Sequence, residues 1–226
     1  MRNLRTIIAI TLAATTALSL TGCLGGGKLS PAALAKVAKE YDAELYTDSD
    51  EFAEDLIDGD DAEDFEDGLY ISAKGRDVKY AIDDVEFIPE SFYDKSIKES
   101  TILVLGDEAV CVFMASTYES EEDAEEAYKT IVEDFQIQLA DVRLSFTTNQ
   151  YDQDIDDYEK DGITYTLAYS EVHDAYYTPD YAISFGVYQS GKTVFVAYGI
   201  GPDLRSVNDD LDDICDSMGV EAPSEL

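Results

Sequence analysis

The hydrophobic pattern changes at Gly68, and this change constrains the fold more than any other feature of the sequence. Before Gly68 apolar residues recur at helical spacing, whereas after it short runs alternate apolar with polar residues, as β-strands do. At residues 69–82 and again at 101–115, two strand-like runs are separated by a turn that contains glycine, and each such pair predicts a β-hairpin. Further strands are predicted at residues 144–148, 163–170, 181–189 and 192–198. Consecutive hairpins favour a largely antiparallel sheet.

Amphipathic helices are predicted on both sides of this change. The first follows Ser30-Pro31, an N-cap with proline at the first helical position. Its apolar face consists of Leu34, Val37, Tyr41 and Leu45. A shorter helix is expected at residues 50–58.

Two longer helices follow hairpins. Ser120 caps the stronger one, whose apolar stripe consists of Ala124, Ala127, Tyr128, Ile131, Phe135, Leu139 and Val142. The last helix opens at Pro202-Asp203 and ends at Gly219. Its buried face is predicted to consist of Val207, Leu211, Ile214, Cys215 and Met218. Together these patterns predict one acidic α+β domain over residues 31–226, with amphipathic helices covering one face of an antiparallel sheet.

The N-terminal segment has the order of an export signal. Arg2 and Arg5 precede an uncharged, largely apolar stretch that reaches Leu24. The stretch is rich in Thr and Ala and slightly short for a membrane-spanning helix, which needs about 20 apolar residues. A plain cleaved secretory signal is the other alternative, although such a signal does not require a cysteine at its end.

Leu20-Thr21-Gly22-Cys23 closes this segment. A branched apolar residue, two small residues and a cysteine resemble the lipobox of bacterial lipoproteins. The resemblance implies a signal peptide over residues 1–22, cleavage before Cys23, and a palmitate-type diacylglyceryl lipid on its sulfur. Residues 23–30 would then be the lipidated cysteine and a Gly-rich tether. The protein would be anchored by lipid on the extracytoplasmic face of a cell membrane.

Acidic residues dominate the charge of the chain. Asp and Glu number 50 against 15 Lys and Arg, for a formal net charge of −35. The electrostatic field of so acidic a protein repels nucleic acid phosphates and anionic lipid head groups, so nucleic acid is not expected as a partner. Apart from the lipid on Cys23, the expected partners are a cationic protein or metal ions.

Acidic residues at every second position from Asp152 to Asp156 suggest a candidate calcium site. The candidate ligands are Asp152, Asp154, Asp156, Glu159 and Asp161. Oxygen ligands at every second residue are how calcium loops begin, and millimolar affinity suffices outside the cell. The pattern departs from an EF-hand, since Asp157 stands where that loop needs glycine and Ile163 where it needs glutamate. The alternative is an acidic hairpin loop.

A formal nucleotide-binding pattern lies at residues 186–193, Gly-Val-Tyr-Gln-Ser-Gly-Lys-Thr. A P-loop must be followed at once by a helix whose N-terminus faces the phosphate. The residues after Thr193 are strand-forming instead. We therefore expect a hairpin turn at Ser190-Gly191 and no bound nucleotide.

Enzymatic activity is not expected. His173 is the only histidine, so a multi-histidine zinc site cannot be built. A nucleophile from Cys111 or Cys215 with His173 is formally available, but both cysteines lie in apolar patterns. They are either two small buried hydrophobic residues, which we favour, or one disulfide in an oxidising location, and their spacing does not decide between the two. A carboxylate-based hydrolase stays open as an alternative, because so acidic a chain supplies carboxylate pairs anywhere.

Tyrosine marks a candidate binding patch. The chain has 16 tyrosines, and predicted strands, where aromatic residues are common, account for Tyr165, Tyr169, Tyr188 and Tyr198. Tyr176 and Tyr177 fall in a predicted loop, so no strand explains them, and tyrosine is enriched at recognition surfaces. The sequence thus favours a non-enzymatic lipoprotein that binds a partner or cations near the membrane, with calcium or small-solute binding as the alternative. In style it resembles small acidic surface lipoproteins of bacteria, a likeness that implies no activity.

Overall fold

One eight-stranded sheet organises the chain. The computed structural model describes residues 28–58, 68–75, 77–82, 88–106, 108–145, 151–173 and 181–226. The strands lie in the order β1-β2-β3-β4-β8-β7-β6-β5, and every neighbouring pair is antiparallel except β1 with β2. Their bounds are β1 Glu44–Tyr46, β2 Leu69–Lys74, β3 Ile97–Gly106, β4 Val110–Tyr118, β5 Tyr151–Lys160, β6 Ile163–Val172, β7 Tyr181–Ser190 and β8 Thr193–Gly201. The predicted α+β class and antiparallel sheet are confirmed.

Helices lie on both faces of this sheet. The described helices are α1 Pro31–Glu40, α2 Ser49–Asp58, α3 Asp77–Tyr80, α4 Glu121–Ser145 and α5 Leu204–Met218, with short 3₁₀ turns at Glu90–Phe92 and Pro223–Glu225. Helices α2, α3 and α4 bury their apolar residues against one face. Helices α1 and α5 bury theirs against the other.

The prediction that helices cover one face of the sheet is therefore wrong in that detail. Along β4, Val112 and Met114 contact the core on the α4 side, whereas Cys111 and Phe113 contact the core on the α5 side. A strand buried on both faces needs a continuous apolar run rather than strict alternation. The apolar run at residues 109–114 has this composition.

Helix caps follow the sequence closely. The Ser30 side chain accepts a hydrogen bond from the Ala33 N–H at 3.3 Å, with Pro31 in the first turn of α1. Ser120 caps α4 through a 3.1 Å hydrogen bond from the Asp123 N–H. Asp203 caps α5, which ends at Gly219 with φ +72. All five apolar residues predicted for the buried face of α5 are buried.

Two predicted elements differ in the structure. The first helix ends at Glu40, because Asp42 adopts a left-handed φ of +57, and Leu45 lies in β1. The expected hairpin at residues 69–82 does not form: β2 pairs with β1 and β3, and α3 occupies the second half. In the second half of this segment the buried residues are Val78, Ala81 and Ile82. They are three and four positions apart, a spacing that suits a helix as well as a strand.

A third difference concerns the end of α4. A strand was expected to begin at Leu144, but the helix continues to Ser145. The later strands at 163–170, 181–189 and 192–198 are confirmed as β6, β7 and β8. No helix in the described ranges is long and apolar enough to span a membrane.

Candidate functional site

The acidic residues predicted to bind calcium lie on β5, a strand at the edge of the sheet, and in the turn that follows it. Asp152, Asp154 and Asp156 share one face of β5, and Glu159 is on the opposite face because side chains alternate along a strand. Asp161 and Gly162 form the turn to β6, with φ of +54 and +77. Positive φ at both residues is the geometry of a type I′ turn. The acidic residues therefore do not form the loop we expected.

Two of these carboxylates are engaged by the neighbouring backbone. Asp152 accepts a hydrogen bond from the Gln153 N–H at 3.0 Å, and Asp154 accepts one from the Ile155 N–H at 2.9 Å. Within the described part of the chain, no group of three or more His, Cys, Asp and Glu side chains is placed to hold a metal ion. Calcium binding stays a prediction.

A stacked aromatic ladder crosses the sheet from this edge. Tyr158 of β5, Tyr165 of β6, Tyr188 of β7 and Phe195 of β8 are paired in register. Successive ring centroids lie 5.1, 5.7 and 5.5 Å apart, with the rings nearly parallel. Cross-strand aromatic pairs of this kind each contribute roughly 0.2–1 kcal/mol to sheet stability. Tyr188 and Phe195 are buried, whereas Tyr158 is half-buried at the edge.

Glu221 anchors the ladder to the C-terminal segment. Its carboxylate accepts hydrogen bonds from the Tyr165 hydroxyl at 2.5 Å and from the Lys160 ammonium, and its carbonyl accepts one from the Tyr188 hydroxyl. The Lys160 and Tyr165 bonds lower the pKa of Glu221. Burial, followed by the hydrogen bond to Glu221, raises the pKa of Tyr165 to about 12. This arrangement fixes the β5–β6 hairpin against the rest of the molecule.

The opposite face of the hairpin is tied to α4. The Tyr128 hydroxyl lies 2.6 Å from the Thr166 hydroxyl, which in turn donates to the Asp157 carboxylate at 2.6 Å. Ile155 packs on the same side against the core that contains α4. The Asp157 carboxylate therefore links the hairpin to α4 through Thr166 and Tyr128.

A polar cavity of about 250 Å³ lies at the start of α4. Its lining residues are Ser91, Tyr93, Asp94, Lys95, Ser96, Asp123, Glu126, Ala127 and Thr130. Asp94 accepts hydrogen bonds from the Ser96 hydroxyl and, at 2.7 Å, from its N–H. Asp123 accepts from the Ser120 hydroxyl at 2.5 Å. Two of the three lining carboxylates are thus hydrogen-bonded to neighbouring serine residues.

The two cysteines in the described part of the chain are free and buried. Cys111 of β4 and Cys215 of α5 are both fully buried on the α5 side of the sheet. Burial raises the pKa of each thiol, to about 12 for Cys215. His173 is half-exposed and lies 3.1 Å from Glu171. Thiols held protonated in the core are poor nucleophiles, so the geometry gives no support to a Cys–His pair.

The residues of the P-loop-like pattern form a β-hairpin, as predicted. Residues 186–190 belong to β7, and Thr193 begins β8 directly opposite Ser190. Gly191 adopts φ +55 in the turn, where it has open space around it. No helix follows Thr193, so the backbone lacks the phosphate cradle that the motif requires.

Other predicted residues lie outside the described part of the chain. These are Cys23 with the signal and most of the tether, and Tyr176 and Tyr177. The edge strand β5 and the roles of Tyr158 and Glu221 were missed by the sequence analysis. The Asp-Gly pair at 161–162 could have revealed the hairpin, since this dipeptide is a strong signal for a type I′ turn.

Comparisons with known proteins give little further information. No model of a known protein family matches the chain. No curated protein sequence matches it. Among solved structures it is similar to the extracellular domain of PknH from Mycobacterium tuberculosis, at 10% identity and a TM-score of 0.33. The match covers 57% of this chain and 66% of that one, just under two thirds of its length. A TM-score this low carries no argument about either fold or function.

Proposed function

We propose that this chain is a lipid-anchored protein of the extracytoplasmic membrane face, whose acidic domain binds a partner without catalysing a reaction. The observation that carries this proposal is the N-terminal order of charge, length and motif. Arg2 and Arg5 precede an uncharged stretch that closes on Leu20-Thr21-Gly22-Cys23. Lipidation of Cys23 is the modification that such a motif implies.

The start of the described domain supports close tethering. Leu29 is buried in the core between the sheet and helices α1 and α5. Residues 24–28 alone separate it from Cys23. A Gly-rich chain of this length spans about 12 Å. The α1 and α5 side of the domain would therefore be held next to the membrane surface, with the opposite side facing away.

The described side chains favour binding over catalysis. The thiols are buried, and the Asp94 and Asp123 carboxylates of the polar cavity are engaged by serine residues. Exposed charge is overwhelmingly negative, so the surface attracts cationic partners and repels anionic ones. These features support a protein that recognises a partner through its surface.

The anchor is tested by replacing Cys23. We expect the Cys23→Ala protein to leave the membrane fraction at high salt, and the wild-type protein to remain there and to incorporate a palmitate analogue. Thr21→Ser is the matched control, because it keeps a small residue before the cysteine and should leave both properties unchanged. Retention of Cys23→Ala in salt-washed membranes, together with an unlabelled wild-type protein, would refute the lipid anchor.

A further inference from the structure

Strand β5 leaves one long edge of the sheet unpaired within the described residues. It spans Tyr151–Lys160 and pairs with β6 in an unbroken register from Tyr151 opposite Val172 to Lys160 opposite Ile163. The opposite edge, β1, has only three residues. A long and regular edge presents a row of backbone donors and acceptors that another extended chain can pair with.

The outward backbone groups can be assigned from two hydrogen bonds. The N–H groups of Gln153 and Ile155 are bonded to the carboxylates of the residues before them, so they point away from β6. Because hydrogen-bonding direction alternates along a strand, the backbone N–H and C=O groups of Asp157 and Glu159 point outward as well. The two aspartates cap this edge in the absence of a partner, and a cation that draws them away would free the amides beneath.

Charge selects which chain can pair here. The acidic residues of the strand are Asp152, Asp154, Asp156, Asp157 and Glu159. The single basic residue, Lys160, is bonded to Glu221. A second copy would place acid opposite acid, which is destabilising across a strand pair. A strand rich in Lys or Arg would place opposite charges there instead.

Tyr158 adds a side-chain subsite at the same edge. It is half-buried, and among the described aromatic side chains it stacks on Tyr165 alone. Its hydroxyl lies 3.4 Å from the Asp156 carboxylate. An added strand would place one side chain against the outer face of this ring, where a guanidinium or ammonium group gains a cation–π contact.

We propose that β5 is the docking edge for an extended basic segment of another protein, which adds to the sheet as a ninth strand. Its backbone pairs with the outward groups of residues 153–159. Its cationic side chains contact Asp154 and Asp156, and one of them stacks on Tyr158. This inference rests on the proposed binding function, since it names the class of partner and the place where that partner binds.

The test uses the full-length protein in detergent and a labelled ten-residue peptide that alternates lysine with valine and threonine. We expect saturable binding by fluorescence anisotropy, weakened by salt because exposed charges are screened. A second peptide carries an N-methyl group on every backbone amide, which keeps its side-chain charge but removes the N–H donors from both of its edges. We expect this peptide to bind at least about tenfold more weakly, as loss of several backbone hydrogen bonds implies. Equal binding of the two peptides would overturn strand addition, because charge alone would then account for the affinity.

Protein variants locate the site. Asp154→Asn with Asp156→Asn should weaken binding by about fivefold or more, since each exposed ion pair contributes up to about fivefold and this variant removes two of them. Glu125→Gln with Glu133→Gln removes the same charge from exposed positions on α4, and should leave binding nearly unchanged. If both double variants weaken binding equally, the peptide recognises net charge and the assignment to β5 is wrong.

A backbone variant tests the edge directly. Gln153→Pro removes an amide that β6 does not use, and proline is tolerated at sheet edges. We expect it to abolish peptide binding while the melting temperature stays close to that of the wild type. Undiminished binding by a folded Gln153→Pro protein would contradict the proposal. Failure of peptide binding leaves the membrane result for Cys23→Ala untouched, so the two proposals can fail separately.

Discussion

At the scale of single residues, Tyr188 links the sheet to the C-terminal segment. Its ring lies between Tyr165 and Phe195 in the aromatic ladder, and its hydroxyl donates to the Glu221 carbonyl. The Cys215 sulfur lies 3.6 Å from the same hydroxyl. Burial raises the pKa of Tyr188 well above its usual range, so the phenol stays neutral and keeps its donor.

Gly186 makes room for this ring. A Cβ at Gly186 would lie 2.3 Å from the Tyr188 hydroxyl oxygen and 2.7 Å from two ring carbons. We therefore expect Gly186→Ala to lower the free energy of unfolding by about 1–3 kcal/mol, the usual range for overpacking a core. Urea denaturation followed by circular dichroism measures the change.

The cause is checked by a double-mutant cycle. In a Tyr188→Leu background the Gly186→Ala substitution has no ring to displace, so its effect should shrink by about 1 kcal/mol or more. An unchanged effect in that background would show that the alanine acts through the backbone or another neighbour.

At the scale of elements, the stability of α5 depends on the N-cap at its first turn. Asp203 accepts hydrogen bonds from the Ser206 N–H at 2.9 Å and from its hydroxyl at 3.1 Å. These bonds lower the pKa of Asp203, the backbone bond contributing most. Because the pKa is lowered in the folded state, the charged cap stabilises the protein fully above the unfolded pKa, and this stabilisation is lost as pH falls through the folded pKa.

Asp203→Ala should lower the free energy of unfolding by about 1 kcal/mol at pH 7, the typical cost of losing an N-cap. Asp203→Asn is the control, since asparagine also caps helices, and it should cost much less. The Asp203→Ala deficit should diminish when urea unfolding is repeated below about pH 4, the usual range for aspartate. A deficit that is independent of pH would mean that the carboxylate charge plays no part in the cap.

Strand β5 shows how an element can be hidden by its composition. Acidic residues are disfavoured in strands, so a run with Asp at alternate positions is typical of a loop. The strand forms because Ile155 packs on the α4 side, Tyr158 stacks on the other, and the type I′ turn sets the register with β6. The contacts of Ile155 and Tyr158 come from other elements, and a local pattern does not reveal them, whereas the Asp-Gly turn can be recognised in the sequence.

At the scale of the whole molecule, the large negative net charge is the dominant electrostatic feature. A net charge of −35 on 226 residues destabilises the compact state by self-repulsion. We expect the melting temperature to rise with sodium chloride, by roughly 2–4 °C for each kcal/mol of repulsion that the salt screens. A melting temperature that does not change with salt would contradict this expectation.

The same melt tests the calcium prediction. Calcium and magnesium at equal ionic strength should raise the melting temperature alike if screening is the only effect. A ligand at one hundred times its dissociation constant stabilises the folded state by about 2.7 kcal/mol, so a true calcium site would add several degrees with calcium alone. If that excess appears, replacing Asp152, Asp154 and Asp156 with asparagine should remove it.

The sequence by itself determined those elements whose stability is local. The N-cap at Ser30, the apolar stripe on α4 from Ala124 to Leu139 and the buried face of α5 depend on spacing within one helix, and they are present as predicted. The strands β6, β7 and β8 likewise form where strand-forming residues predict them, and they are buried along most of their length. The acidic charge and the N-terminal motif are properties of composition and order alone.

The tertiary structure decided how these elements combine. The choice of β1 and β3 as partners of β2, the covering of both sheet faces, and the position of β5 at an edge depend on contacts between distant residues. Such pairings are selected by the total burial of apolar surface, which no short segment contains. For this reason Asp152, Asp154 and Asp156 are an alternating acidic pattern in the sequence, but one face of an edge strand in the folded protein.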